Sequence, residues 1–464
     1  MIFRKYITLF CILITFSIYI SAEALNLNLE KAKEIALTNN PSLKLAREGV
    51  RKSSQQVIEA RGNLMPTVTG FTSLQHAWDL QENKIPNFLK TPFDMLNYNM
   101  YTAGLIPSFV EQPEYLQMAF GLENTLVAGI QVQQPVYVGG NIWNGYQISR
   151  LAYSITQSQM KSTEQQIMTD LTSSYYGVLF AKSALGVTEE SLQSAMENLD
   201  QVKKFYDSGK SSNFDVLRAE VQVANIRPMV ISAKNGFILA ESRLKMVMGV
   251  SDDTEFIITE ELELNYSDLT EKSLEELMEM AFESRPEIKI MKNQKQIINR
   301  QVSMSKAAFM PSVMFGTTLQ YQGQSAAIDF TKDDFSKALN SSVSISIPLF
   351  AGLKNSAKYQ QAKIAVKESD HQYEQLKQGI TLEVKGAYLK MKEALEKVQT
   401  QQKTVEQAKE ARRLARLLYS EGSSTQLDVL NAGLAVQQAQ MNYQQSLYEY
   451  NVALANLKKA INQS

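Results

Sequence analysis

The chain of 464 residues carries 47 basic against 48 acidic side chains and is 44% hydrophobic, which excludes a disordered polymer and leaves no cationic excess for nucleic acid. Its only cysteine is Cys11 and its only histidines are His76 and His371, so zinc, disulfide and thiol chemistry have little to work with and no cofactor is expected. Eleven prolines in this length, with Gln, Ala, Leu and Lys throughout, favour long helices.

Residues 1–22 have the three parts of a secretory signal: Arg4 and Lys5, an apolar run from Ile7 to Ile20, then Ser21, Ala22 and Ala24. The run is shorter than the roughly 20 residues a spanning helix needs. Next, Leu27, Leu29, Ala32, Ile35, Ala36 and Leu37 keep helical spacing. Asn39-Asn40-Pro41 interrupts, and helix resumes from Ser42 to about Arg61. The second half opens the same way, with Leu274, Leu277 and Ala281 before Arg285-Pro286. Pro41 and Pro286 stand 245 positions apart, and so do Pro66 and Pro311. That register marks an internal repeat.

Beyond Pro66 and Pro311 the period becomes two. Leu126, Ala128, Ile130 and Val132 alternate with polar or small residues; so do Val313, Phe315, Thr317, Leu319 and Tyr321, and so do Val343, Ile345, Ile347 and Leu349 against serines. Alternation of about ten residues suits strands of a membrane barrel, lipid on one side and lumen on the other. A sheet with one face on a soluble core has the same period. Four strands cannot close a barrel, which points to oligomerisation. The first hairpin holds 32 residues more than the second, within about 77–120. With Pro86, Pro92, Pro107 and Pro113 it reads as a long loop, either packed on itself or the barrel rim through Phe88, Leu89, Phe93, Leu96, Ile106 and Phe109, or simply a variable surface segment.

From Asn141 to Tyr206 and from Lys354 to Tyr419 no proline occurs, giving two candidate helices of some 66 residues each. Each would be about 100 Å long. Ala387, Met391, Ala394, Val398, Val405 and Ala408 form a heptad-like seam along the second. Return helices run from about Ser212 to Met248 and from Ser424 to Ile461, with Arg227-Pro228 expected to interrupt and kink the first. Between the halves, 251–272 holds eight acids and one lysine and reads as a solvated connector, with one short strand expected at Phe256–Ile258. The chain thus divides into a signal (1–22), a first repeat (25–250), an acidic linker (251–272) and a second repeat (273–462).

Each long hairpin turns at a repeated tip. Tyr206, Gly209 and Asp215 recur as Tyr419, Gly422 and Asp428, at a constant offset of 213. The glycine suits a left-handed helix end, and the Ser, Thr or Asn that follows can cap the next helix.

In this duplicated order the chain resembles the TolC family of outer-membrane efflux and secretion channels. The features are the breaks at Pro41 and Pro286, the strand entries at Pro66 and Pro311, Gln134-Pro135 to Gly139, Ile347-Pro348 to Gly352, and both tips. The resemblance covers about 25–462 and implies a mainly α fold with a small membrane β-barrel portion. Three chains would share a 12-stranded barrel in the outer membrane of a Gram-negative type envelope, and their helices a tunnel, or trimeric α-barrel, across the periplasm. The implied partners are outer-membrane lipid, a periplasmic adaptor (membrane fusion protein) and an inner-membrane RND or ABC transporter. By position, Asp428 matches the first aspartate of a constricting ring and Asn431 the second. Tyr419 and Asp215 match two members of a contact between tip coils, whose arginine is Ser424 here. Tyr206, Gly209 and Gly422 fall at the adaptor-facing tips. The two departures, Asn431 and Ser424, weaken both the anionic ring and the charged lock.

The leading expectation is a passive exit duct. A periplasm-spanning coiled-coil structural or adaptor protein without a pore is the alternative, and the alternating strands argue against it. Enzyme function is not expected, since the sequence has no phosphate loop, nucleophile elbow or metal-ligand set.

Overall fold

A computed structural model describes residues 25–463, and the expected signal at 1–22 lies outside them. In chain order the elements are β1 (Leu25–Asn26), α1 (Leu29–Asn39), α2 (Pro41–Gly62), β2 (Thr67–His76), β3 (Glu82–Pro86), α3 (Lys90–Thr102), β4 (Tyr115–Ala119) and β5 (Asn124–Val138). Then come α4 (Asn141–Asp207), α5 (Asn213–Met248), β6 (Phe256–Ile257), α6 (Leu274–Ser284), α7 (Pro286–Ala307), β7 (Ser312–Ser325), β8 (Phe335–Ser346), α8 (Lys354–Ser420) and α9 (Gln426–Ala460). The chain forms two compact units, each drawing on both halves of the sequence. Among the described residues no helix is long and apolar enough to cross a membrane.

The helical unit comprises the described residues up to Gln55 with Arg150–Ile298 and the chain from Ala365. Pro41 and Pro286 both occupy a first helical position, where the missing N–H costs nothing. Asn40 caps α2 by accepting from the Ser42 and Leu43 amides at 2.9 and 3.2 Å. At the equivalent place in the second half, the buried Arg285 ion-pairs with Glu287 at 3.1 Å and Glu383 at 2.7 Å. Of the expected seam on α8, Met391, Ala394 and Val398 are buried and Ala387, Val405 and Ala408 partly so, and Ile380 and Val384 extend the buried stripe. It joins Leu171, Tyr175, Leu447, Tyr450 and Leu457 in one core.

Two expectations, the interruption at Pro228 and the merely solvated connector, fail in this unit. Helix α5 runs as one helical span through Pro228. A proline removes one ladder bond, and burial of Val223 and Ile226 before it and of Leu244 and Met248 after it holds the helix on both sides. The acidic linker is not merely a solvated connector. Ile258, Leu262 and Leu269 are buried, and β6 pairs in parallel with β1. Lys182 donates to the Ile258 carbonyl, Tyr450 to that of Asn265 and Asn451 to that of Glu263, at 2.8, 3.0 and 2.9 Å. Three apolar residues spaced among the acids are enough to anchor it.

The second unit, Gln56–Ser149 and Asn299–Ile364, contains an antiparallel sheet of four strands in the order β2-β5-β7-β8. Its register sorts the side chains by face. Gly70, Ile130, Leu319 and Leu339 lie in one row, while Thr69, Gln131, Thr318 and Asn340 lie in a row on the other face. β8 ends at Ser346, short of the expected Ile347 and Leu349. Pro348, which cannot donate to a ladder, follows two residues on. The segment expected as a loop at 77–120 instead folds into the β3–β4 ribbon and helix α3.

Candidate functional site at the hairpin tips

Both tips are built by the same local rules. Helix α4 ends in a reversal in which Gly209 has φ 72°, its N–H donates to the Tyr206 carbonyl at 2.9 Å, and Lys210 N–H donates to Phe205 at 2.7 Å. Gly422 has φ 76°, with its N–H on Tyr419 at 3.1 Å and Ser423 N–H on Leu418 at 2.8 Å. This paired pattern is the Schellman helix end, and its left-handed position accounts for both glycines.

The next helices start with capping boxes. Ser212 Oγ accepts from Asp215 N–H at 3.2 Å, while Asp215 Oδ2 accepts from Ser212 N–H at 3.1 Å and from the Ser212 and Ser211 hydroxyls at 2.6 and 3.2 Å. In the second tip Thr425 Oγ1 accepts from Asp428 N–H at 3.3 Å. Asp428 Oδ2 accepts from Thr425 N–H, Thr425 Oγ1 and Ser424 Oγ at 2.9, 2.6 and 2.9 Å. The two boxes match bond for bond. The Thr425 and Ser424 bonds hold the Asp428 carboxyl below its ordinary range, and the Ser212 bonds, with Arg218 nearby, do the same for Asp215.

The structure brings two of the anticipated residues, Tyr419 and Asp215, together within one chain. Tyr419, half-buried, lies beside Ser211 and near the Asp215 charge. Burial first, and that charge second, raise its phenol pKa. Its ring packs on Phe205 at 5.6 Å, so one tip is joined to the other. Ser424 bonds only within its own tip, to Asp428. Asn431 is exposed one helical turn beyond Asp428 on α9 and shares its side of the helix. Tyr206, 46% exposed, and Gly209 and Gly422 stay open at the turns.

Sequence reasoning missed a cationic contact. From α8, Arg416 donates to Ser194 Oγ of α4 at 2.6 Å, and Arg412 lies 3.9 Å from Glu190, which also accepts from Gln440 of α9 at 3.2 Å. Arg412 and Arg416 are four apart and share one helix face, the signal that was available.

Among the described residues no group of three or more His, Cys, Asp or Glu is gathered to hold a metal ion. The sites on offer are polar helix ends and cross-helix contacts.

Comparison with known proteins agrees with this architecture. The Vibrio cholerae outer membrane protein TolC is 21% identical over 339 residues, 72% of this chain and 76% of that protein. The Pseudomonas aeruginosa alkaline protease secretion protein AprF is 18% identical over 336 residues, 72% of this chain and 69% of its own. Among solved structures the outer-membrane channel OprN superposes with a TM-score of 0.75 at 17% identity, covering 94% of this chain and 90% of that one. The family model for outer membrane efflux proteins matches residues 33–250 and 277–463. The chain therefore belongs to the outer membrane efflux protein family, a family of channels and not of enzymes, and its place is the outer membrane.

Proposed function

We propose that three copies of the chain form an exit duct that passively conducts substrates handed over by an inner-membrane RND or ABC transporter through a periplasmic adaptor. One observation carries this reading. The four-stranded sheet has an apolar face that nothing covers, with Leu339, Val343 and Ile345 at 68, 65 and 63% exposure, opposite a face of Thr, Gln, Ser and Asn. A soluble protein would bury such a face, whereas lipid receives it at no cost. A pore-free coiled-coil adaptor has no use for that sheet.

The same sheet supports the trimer. β2 and β8 each present an unpaired edge, and in lipid every unsatisfied backbone group costs several kcal/mol. An even number of antiparallel strands lets β8 of one copy pair antiparallel with β2 of the next. Exposed apolar residues along α5 (Leu217, Val221, Ile231, Leu239) and α8 (Leu382, Leu389) supply further surface for contact between copies. The expected result of native mass measurement on detergent-extracted protein is three copies. A stable monomer that still resides across the membrane would refute the reading.

In this reading the 77–120 segment faces outward from the cell and both tips face the periplasm. An epitope inserted near Asn97 should be labelled on intact cells, and one near Ser211 only after the outer membrane is permeabilised. The opposite pattern would reverse the topology.

A further inference from the structure

The excursion between β2 and β5 has no buried apolar core of its own. It is tied at its surface by Lys90 Nζ to Glu111 at 2.7 Å, Gln112 N–H to Asp94 at 2.8 Å, Asn87 Nδ2 to the Pro113 carbonyl at 3.0 Å, and the Tyr98 ring against Phe109. Its apolar side chains point away, with Trp78, Phe88, Leu105 and Met95 at 89, 79, 71 and 68% exposure. No residue from 77 to 123 is buried. Helix α3, 13 residues long with no side-chain cap and no buried residue, is held among the described residues only by surface ties to 109–112. Isolated helices of about 12–15 residues are marginal in water, so such a helix needs an outside surface.

We infer that the excursion of each copy packs against the β7–β8 turn, 326–334, of the neighbouring copy at the mouth of the barrel. This rests on the trimeric barrel proposed above. The sheet order sets the neighbour: β2 is an edge strand ending at His76, and β8 is the opposite edge, starting at Phe335. When those edges pair antiparallel between copies, the first residues of the excursion meet the last residues of the neighbour's turn. That turn presents Ile328 at 71% exposure as its apolar knob. Charge argues against lipid as the cover. Residues 77–123 hold six acids (Asp79, Glu82, Asp94, Glu111, Glu114, Glu123) and only Lys84 and Lys90. A surface built for anionic headgroups collects lysine and arginine instead.

The test uses full-length protein carrying Cys11→Ser, which removes the only native cysteine. Thr72→Cys with Ser341→Cys reports pairing of the barrel edges, and Trp78→Cys with Ile328→Cys reports the inferred contact. Both are treated with a short bis-maleimide in membranes. In a separate variant Trp143→Phe leaves Trp78 as the only tryptophan, and quenching by brominated lipid is read. The expected result is a covalent ladder reaching three copies for both cysteine pairs, with single-cysteine controls remaining monomeric and Trp78 unquenched. A ladder from the edge pair alone, or strong quenching of Trp78, would overturn the inference while leaving the trimeric barrel standing. No ladder from either pair would remove the barrel reading as well.

Discussion

Gly249→Val is expected to leave little assembled protein in the membrane, while Gly236→Val should be tolerated. Gly249 ends α5 with φ 73°, its N–H on the Met246 carbonyl and Val250 N–H on that of Lys245, both at 3.1 Å. A Cβ there would lie 2.7 Å from the Asn39 carbonyl oxygen and 2.8 Å from Asn40 Cα, backbone atoms that cannot swing aside. The same corner holds the bond from Asn40 Nδ2 to the Val247 carbonyl, 2.7 Å, which ties the α1–α2 break to the end of α5. Left-handed strain of about 1–2 kcal/mol and overpacking of about 1–3 kcal/mol together take a large part of a typical domain's stability. A Cβ on Gly236, within the same helix, meets nothing within 4 Å. The measurement is the yield of folded protein in washed outer membranes; equal yields for the two variants would show that the corner yields to the added side chain.

Asp428→Ala should lower cation selectivity several-fold and relieve block by divalent cations in planar bilayers. Three copies of this exposed carboxylate around one axis form, in the proposed duct, a fixed negative ring that attracts cations. Asn431→Ala should change neither property, since a neutral amide adds no fixed charge. Because Asp428 also closes its own capping box, the charge and the cap have to be separated. Thr425→Val removes the hydroxyl that the carboxylate bonds but keeps the charge, so selectivity at neutral pH should survive it.

The pH dependence follows from the same bonds. A carboxyl held below its ordinary range stays ionised as pH falls through that range, so selectivity should persist there and be lost only on further acidification. The cap's contribution to stability has the same sign: it is present above the unfolded aspartate's pKa and lost as pH falls through the lower, folded one. In Thr425→Val the loss should move to higher pH. With no arginine at Ser424, the tips are joined through Tyr419, and Tyr419→Phe should raise the resting conductance by removing the hydroxyl beside Ser211. Unchanged selectivity and block in Asp428→Ala would show that the constriction lies elsewhere.

What the sequence determined by itself is local or periodic. Alternation over a few residues announces a strand, proline and asparagine at 40–41 announce a helix break, and the Ser, Thr or Asn after each tip glycine announces a helix cap, because each involves atoms within one helical turn or one pleat. The repeat offsets located both tips for the same reason. Tertiary structure alone decided the rest. Burial of Ile258, Leu262 and Leu269 turned an acidic linker into an anchored strap, which charge counting does not see. Packing on either side of Pro228 carried α5 through a residue that would otherwise stop it. The contacts of Tyr419 with Ser211 and of Arg416 with Ser194 join residues more than 200 positions apart. Such pairs leave no mark in a single chain's local pattern, because they depend on how two 67-residue helices come to lie side by side.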